Sequence, residues 1–405
     1  MRIVKTQSSQ SITNEDRVIP VGPGRVAIPE RLLLAHARGE VLFIAGAGIS
    51  KPSGLPDFMG LVVRVYAQLD TAVHSAICDY INNNDPQFLP NLSNLTGQQK
   101  AEVFRFIKCD YDVVLGMLER RMDSHSHGKS RVRQAVSNEL RLAGVKPTQI
   151  HRTLMRLADR GGAVAIVTTN FDLLLEDAAA KFSLIQTYAL GEIPRPGRRD
   201  DFAGVFHIHG VLNRDPRRAS DLIVTDQDFG EFYLRRRTVP DFIYDAARLY
   251  HLVLVGYSAN DAPMRYLLNA VAADGTRFDD LKERFTFVGT TDPVELEDWK
   301  GRGITPIPYD ARNAHSDLVD AMARWANLSP INGKESVIDS EIKRIVKDTR
   351  IAAKDEDRDL FDHLIRRSNS NERVRLASLA SKQKADIAWL DAIIQISAEI
   401  DRMPS

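Results

Sequence analysis

The chain has 405 residues, 54 Lys and Arg against 54 Asp and Glu, and a formal net charge of zero at pH 7. That balance excludes a protein whose main work is coating nucleic acid, since such domains carry a basic excess, and no sequence-specific nucleic-acid binding is expected. The two cysteines, Cys78 and Cys109, have no metal-ligand spacing, which suits a reducing compartment and excludes a disulfide scaffold.

The opening segment MRIVKTQSSQSITNEDR lacks the apolar run of a signal peptide. No stretch approaches the roughly 20 apolar residues of a membrane span. A cytoplasmic protein without membrane contact is therefore expected, and the N-x-S/T triplets at Asn91 and Asn94 carry no weight.

Residues 1–39 read as an N-terminal arm and a first helix. Val41 to Ala45 is a continuous apolar run ending in glycines, as in a strand buried on both faces. After Pro56, the spacing of Phe58, Val62, Val65 and Leu69 predicts a helix. From about residue 70 to 160 the pattern is that of a helical insert: DYDVVLGMLERRM and RVRQAVSNELRLAG are amphipathic, and NNNDPQFLPNLSNLTGQQ reads as a loop. His125 and His127 fall in a polar stretch that reads as solvated loop rather than a metal site.

Four strand–helix units follow: AVAIVTTN with FDLLLEDAAAKF, HLVLVGYSAN with DAPMRYLLNAVA, RFTFVGTTD with PVELEDWKGRG, and ITPIPYD with NAHSDLVDAMARWA. This alternation predicts an α/β fold with a doubly wound, mostly parallel Rossmann-like sheet, spanning residues 40–328. NLSPINGKE breaks the pattern, and residues 329–405 form a helical C-terminal region, with apolar spacing at Ile338, Ile342 and Ile345, at Phe361, Leu364 and Ile365, and at Ile387, Leu390 and Ile394.

In a parallel sheet the ligand lies outside the carboxyl ends of the strands, where strand order reverses. Four motifs sit at such ends: Gly46-Ala47-Gly48, Thr168-Thr169-Asn170, His207-Ile208-His209-Gly210 and Gly256-Tyr257-Ser258. Gly46 and Gly48 would let the backbone approach a pyrophosphate, with helix N–H groups as donors. A dehydrogenase fingerprint requires a third glycine where this chain has Lys51. Asp70, near the right distance for a ribose-binding acid, closes a helix instead. The plain redox reading is disfavoured.

The ordered motifs GAGIS with SGLPDF, TTNFD, HIHG and GYS resemble the sirtuin-type NAD-binding domain, over roughly Glu40 to Asp310. The arm, the insert and the C-terminal helices lie outside the resemblance. Protein-deacylating sirtuins hold a zinc on four cysteines between the histidine motif and the G-x-S motif. No cysteine occurs from Gly210 to Val255, so no zinc and no deacylase are expected. GYSANDAPMRYLL, TDQDFGEFY and GITPIPYDARNAHSDL resemble the bacterial anti-phage branch, where the domain hydrolyses NAD, and within it the sirtuin-like subunit that pairs with a HerA-type ATPase.

The resemblance implies roles. Asn170 orients a water or the nicotinamide ribose, and Asp172 supports the nicotinamide side; both also serve well as helix N-caps. His209, immediately before Gly210, is the candidate base, with His207 as the runner-up. Ser50 and Asp57 bind the nucleotide or order its loop, and Pro56 and Phe58 shape the nicotinamide pocket, though Pro56 equally suits a turn. Ser258 and Asp261 contact the adenosine end or cap the next helix. Gly46, Ala47, Gly48, Thr168 and Gly256 complete the nucleotide-binding set.

The expectation is an NAD+ glycohydrolase releasing nicotinamide and ADP-ribose, with NAD+ as substrate and no other cofactor. Its activity is expected to be gated, with the insert as lid or subunit contact, in a homo-oligomer on which a HerA-type ATPase docks. The alternatives are ADP-ribosyl transfer and a non-catalytic NAD or ADP-ribose sensor. The chain has no complete ATP-binding G-x-x-x-x-G-K-S/T loop, since Asp123 stands where Gly128-Lys129-Ser130 would need the first glycine, and Arg235-Arg236-Arg237 reads as a solvated face.

Overall fold

A computed structural model describes residues 17–21, 26–83, 85, 88–123, 130–179, 185–197, 201–215, 221–257 and 281–402. Two compact units emerge, one from Met1–Val41 with Tyr309–Ser405 and the other from Leu42–Pro308.

The first unit begins with strands β1 (Val18–Val21) and β2 (Val26–Pro29), paired antiparallel with Ile19 opposite Ile28. Both isoleucines are fully buried. Part of the segment read as an arm thus holds two paired strands, each a short apolar run in the sequence. Helix α1 (Glu30–Ala37) follows.

The second unit is built on strand β3 (Val41–Ala45), buried at every position. Five helices come next: α2 (Phe58–Leu69), α3 (Thr71–Asn82), α4 (Gly97–Ile107), α5 (Tyr111–Met122) and α6 (Arg131–Leu140). They close around a core of their own that includes Val65, Tyr66, Ile77, Phe106, Leu115 and Val136. The end of the expected loop is instead a helix start, because Thr96 and Gln99 form a reciprocal cap on α4. Asp70 caps α3 and meets Arg121 at 2.7 Å; Arg121 also meets Glu102 at 2.7 Å, and Tyr66 donates to Glu102 at 2.9 Å. Buried charges here are compensated by opposite charge and hydrogen bonds.

Helix α7 (Gln149–Ala158) leads to β4 (Ala165–Thr168), α8 (Leu174–Ala179), β5 (Thr187–Ala189), β6 (Gly204–His207), the single turn α9 (Asp226–Phe229), a π-helical turn (Gly230–Arg235) and α10 (Thr238–Leu249). Strand β7 (His251–Val255), strand β8 (Arg284–Val288), helix α11 (Pro293–Gly301) and strand β9 (Thr305–Pro308) complete the unit. The helix expected at DAPMRYLLNAVA lies outside the described residues, as do His125 and His127.

The seven strands run in the order β5-β6-β4-β3-β7-β8-β9. Pairing is parallel, with Phe43 beside Ile166, Val167 beside Phe206, and Phe287 beside Ile307. From β3 the chain moves outward to β4 and β6, then returns to lay β7 on the other flank. The switch point therefore falls at the exit of β3, where the doubly wound architecture expected from the sequence places a ligand. Leu42, Ile44, Val167, Phe206, Leu254 and Trp299 belong to one buried cluster on the sheet.

The first unit resumes with helices α12 (Ser316–Leu328), α13 (Glu335–Ile345), α14 (Asp355–Arg366), α15 (Ser370–Lys382) and α16 (Ile387–Ile400). Buried Glu30 accepts from Arg366 at 3.0 Å and faces His363 Nδ1 at 3.3 Å. Trp389, fully buried, packs on Phe361 with ring centroids 4.6 Å apart and donates to Asp348 O at 2.9 Å. No described helix is long and apolar enough to cross a membrane, and no cluster of three or more potential metal ligands occurs among the described residues.

Candidate active site

At the exit of β3, the Gly46 N–H donates to Val255 O and the Gly48 N–H to Gly256 O, both at 2.9 Å. A Cβ on Gly48 would sit 2.8 Å from Gly256 O. The glycines thus admit the neighbouring strand end, a requirement that stands beside any approach of phosphate. Tyr257, the middle residue of the Gly256-Tyr257-Ser258 motif, donates to Ala45 O at 3.1 Å and meets Thr169 Oγ1 at 2.9 Å. Thr168 donates to the same carbonyl at 2.9 Å.

Ala47, Ser50, Pro56, Asp57, Phe58, Asn170, Asp172 and His209 line one cleft. Gly46, Gly48, Thr168 and Gly256 join strand ends and are not among its lining residues. Ser258 and Asp261 lie outside the described residues. Leu55, Leu61, Leu140 and Ile223 make the cleft largely apolar, and Leu140 brings the end of α6 to its wall. These four were not selected from sequence, because each is an ordinary apolar position of its own segment.

Ser50 is the hub. Its Oγ donates to Asp172 Oδ2 at 2.9 Å and accepts from Asn170 Nδ2 at 3.1 Å; Asn170 Nδ2 also donates to Gly46 O at 3.2 Å. Asn170 Oδ1 is buried and has no partner among the described residues. An orphaned acceptor of this kind costs free energy unless something else supplies a donor. Burial raises the Asp172 carboxyl above its ordinary range, and the Leu174 N–H and the Ser50 hydroxyl oppose that rise. Burial also raises Asp57, but the Lys51 ammonium at 2.8 Å and the Gly60 N–H outweigh it and leave that carboxyl below the ordinary value.

His151, which the sequence reading passed over, completes the hub from α7. The Thr148 N–H donates to its Nδ1 at 3.2 Å, so the neutral ring carries its proton on Nε2, 3.5 Å from Ser50 Oγ. The two histidines of β6 and its exit differ. His207 is fully buried, with Nδ1 2.8 Å from Asn170 O and Nε2 2.9 Å from Glu176 Oε1, so both nitrogens are committed. His209 lines the cleft, and its Nε2 meets Tyr233 OH at 2.6 Å.

Burial pushes His209 down to about 3 and His151 down to about 4, the latter helped by Arg152. Both rings are neutral in the folded protein while the unfolded chain binds their protons near pH 6.5. The unfolded state therefore gains protons first on acidification, and stability falls as pH drops from about 6.5 toward 4. Each histidine is expected to remove roughly 2 kcal/mol at pH 5 relative to pH 8. Urea denaturation at the two pH values checks this, and His151→Gln should reduce the difference by roughly its own 2 kcal/mol. An unchanged difference would show that His151 does not drive it.

Residues 164–307 match a SIR2-like domain. This is a sirtuin-like segment. It contains Asn170, Asp172, His209 and Gly256, whereas Ser50 and Asp57 reach the cleft from earlier in the chain. Over 314 residues the protein is 33% identical to the uncharacterized protein y4cA of Sinorhizobium fredii, covering 74% of this chain and 24% of that one. The chain thus spans about a quarter of that relative's length. Among solved structures, a Sir2 homologue in complex with NAD is similar at 17% identity and a TM-score of 0.33, over 73% of this chain and 93% of its own. A second, from work on the mechanism and regulation of Sir2 enzymes, is similar at 15% identity and a TM-score of 0.33, over 73% of this chain and 96% of its own.

Proposed function

We propose that the chain is an NAD-dependent enzyme, and specifically that it hydrolyses NAD+ to nicotinamide and ADP-ribose. The bond between ribose C1′ and the pyridinium nitrogen breaks, and the nitrogen keeps the electron pair and leaves neutral. Water attacks C1′ and gives up a proton. The observation that carries the reading is the buried, unpaired Oδ1 of Asn170 in a largely apolar cleft, beside Ser50–Asp172 and neutral His209. Asn170 offers an acceptor for a water or a ribose hydroxyl. His209 accepts the proton, and the apolar walls exclude competing solvent. Removing a charged pyridinium requires no redox partner.

The motif resemblance extends the proposal to a gated effector of anti-phage defence, cytoplasmic and homo-oligomeric, with a HerA-type ATPase as partner. Ile387 and Ile394, two turns apart on α16, are 71% and 66% exposed, an apolar face of the kind that self-association covers. One experiment tests both levels. NAD+ labelled in the adenosine half is incubated with the protein, alone and with the ATPase, while mass is measured in solution. Free labelled ADP-ribose and a multimeric mass are expected. Label attached to protein would indicate ADP-ribosyl transfer, binding without nicotinamide release would indicate a sensor, and a concentration-independent monomer would refute the oligomer.

A further inference from the structure

The π-helical turn between α9 and α10 carries Tyr233 into the core, 4% exposed, while the next residue, Leu234, is 76% exposed. Its closing bond runs from the Arg236 N–H to Glu231 O at 2.8 Å, five residues apart. Such widened turns accumulate at functional sites. Phe229, one turn earlier, stands edge-on to the His209 ring at 5.6 Å, and the Tyr233 ring meets it at 5.9 Å. The histidine is thus boxed by two aromatic rings from one short segment.

That segment is held by the helical insert. Arg120 of α5 makes a two-pronged bond to Asp226, at 3.0 and 3.2 Å. Arg133 of α6 meets both oxygens of Asp228 from the single nitrogen Nη2, at 2.8 and 2.9 Å, and also donates to Leu222 O at 2.9 Å and to Glu119 at 3.0 Å. Gly116 of α5 leaves the space that Asp226 occupies. Two arginines of the insert therefore set the position of α9, and α9 sets the position of Tyr233.

We propose that Tyr233 is a positioning residue for His209, through which the helical insert controls the reaction. In this proposal the Tyr233 oxygen accepts from the Nε2–H of His209 across 2.6 Å, one of the two directions that the contact allows. Tyr233 is not among the residues lining the cleft, whereas His209 is. Nδ1, which has no hydrogen-bond partner among the described residues, is left with a free lone pair as the base. A phenol hydroxyl, unlike a carboxylate, can donate as well as accept, so Tyr233 holds the ring in place through a neutral group suited to a dry site, and the spectrum of the ring reads the direction. Displacing α9 from Arg120 and Arg133 would free the ring to take the wrong tautomer.

The kinetic part of this inference rests on the NAD+ hydrolysis proposed above. Tyr233→Phe keeps the ring in place and removes the oxygen; kcat for nicotinamide release should fall at least tenfold with KM for NAD+ little changed. Arg133→Ala should lower kcat in the same direction, and the double variant should be no worse than Tyr233→Phe, because both act on one contact. Leu234→Ser, on the exposed side of the same turn, should leave turnover intact. A second readout needs no activity: the 15N resonances of the His209 ring should report a proton on Nε2 in the wild type and a mixture of tautomers in Tyr233→Phe. Should the wild type cleave no NAD+, the function fails while this spectrum still decides the contact. A Phe variant with wild-type kcat and an unchanged His209 spectrum would overturn the proposal. So would a Phe variant faster than wild type, which would make Tyr233 a latch on the base.

Discussion

Asn170→Ala should lower nicotinamide release by roughly 100-fold or more while leaving stability nearly unchanged. The rate effect follows from losing a fixed polar group that acts as charge develops, which typically costs about 10²–10³ in turnover. Asn170 Nδ2 makes two bonds, to Ser50 and to Gly46 O, which together contribute on the order of 2 kcal/mol. Its Oδ1 sits buried without a partner, a penalty of similar size. Alanine removes both, so the two terms offset. Nicotinamide release read beside a denaturation curve checks the pair of outcomes. Full activity would remove Asn170 from the mechanism; a loss of several kcal/mol would make it a structural residue first.

The largest stability effect is expected at Gly210→Ala. Gly210 has φ +89°, and a Cβ there would overlap the backbone carbonyl oxygen of Asp221. Backbone cannot step aside as a flexible side chain can. The segment that presses on it also donates from the Ile223 N–H to His209 O at 2.9 Å. Strain from the backbone conformation and from the overlap together should cost roughly 3 kcal/mol or more. Loss of activity should accompany it, because Ile223 and His209 share the cleft wall. The denaturation midpoint decides the matter: a shift below about 1 kcal/mol would mean that the loop after His209 moves freely. The histidine-then-glycine pair read from the sequence thus has a steric cause independent of any ligand.

The strands were legible because parallel strands buried on both faces read as apolar runs; Val41–Ala45 does throughout and His251–Val255 does after its first residue. Strand β5 has three residues, none of them buried, and leaves no such signature. The cleft residues chosen from motifs came together because each follows a strand end at the switch point. His151 and Tyr233 escaped notice for a shared reason. His151 looks like one polar position in an amphipathic helix, and its meaning depends on Ser50, 101 residues away. Tyr233 looks like a core aromatic, and its aim at His209 depends on a π-helical turn that no spacing rule anticipates. Leu140 is similar, since only the closure of the insert brings the end of α6 to the cleft.

One carbonyl, Ala45 O, gathers hydrogen bonds from Thr168, Thr169 and Tyr257. The last of these spans 212 residues of chain. During synthesis, Ser50 and Asn170 emerge long before Tyr257 and Gly256, and until then β3 lacks its second neighbour and the glycine loop has nothing to lock against. Pairings so distant in sequence form late and slowly. A ribosome-bound chain shorter than about 257 residues thus holds most of the polar groups of the cleft but not the joint that fixes them. The order of synthesis therefore makes the strand that carries Tyr257 the last piece of this joint to arrive.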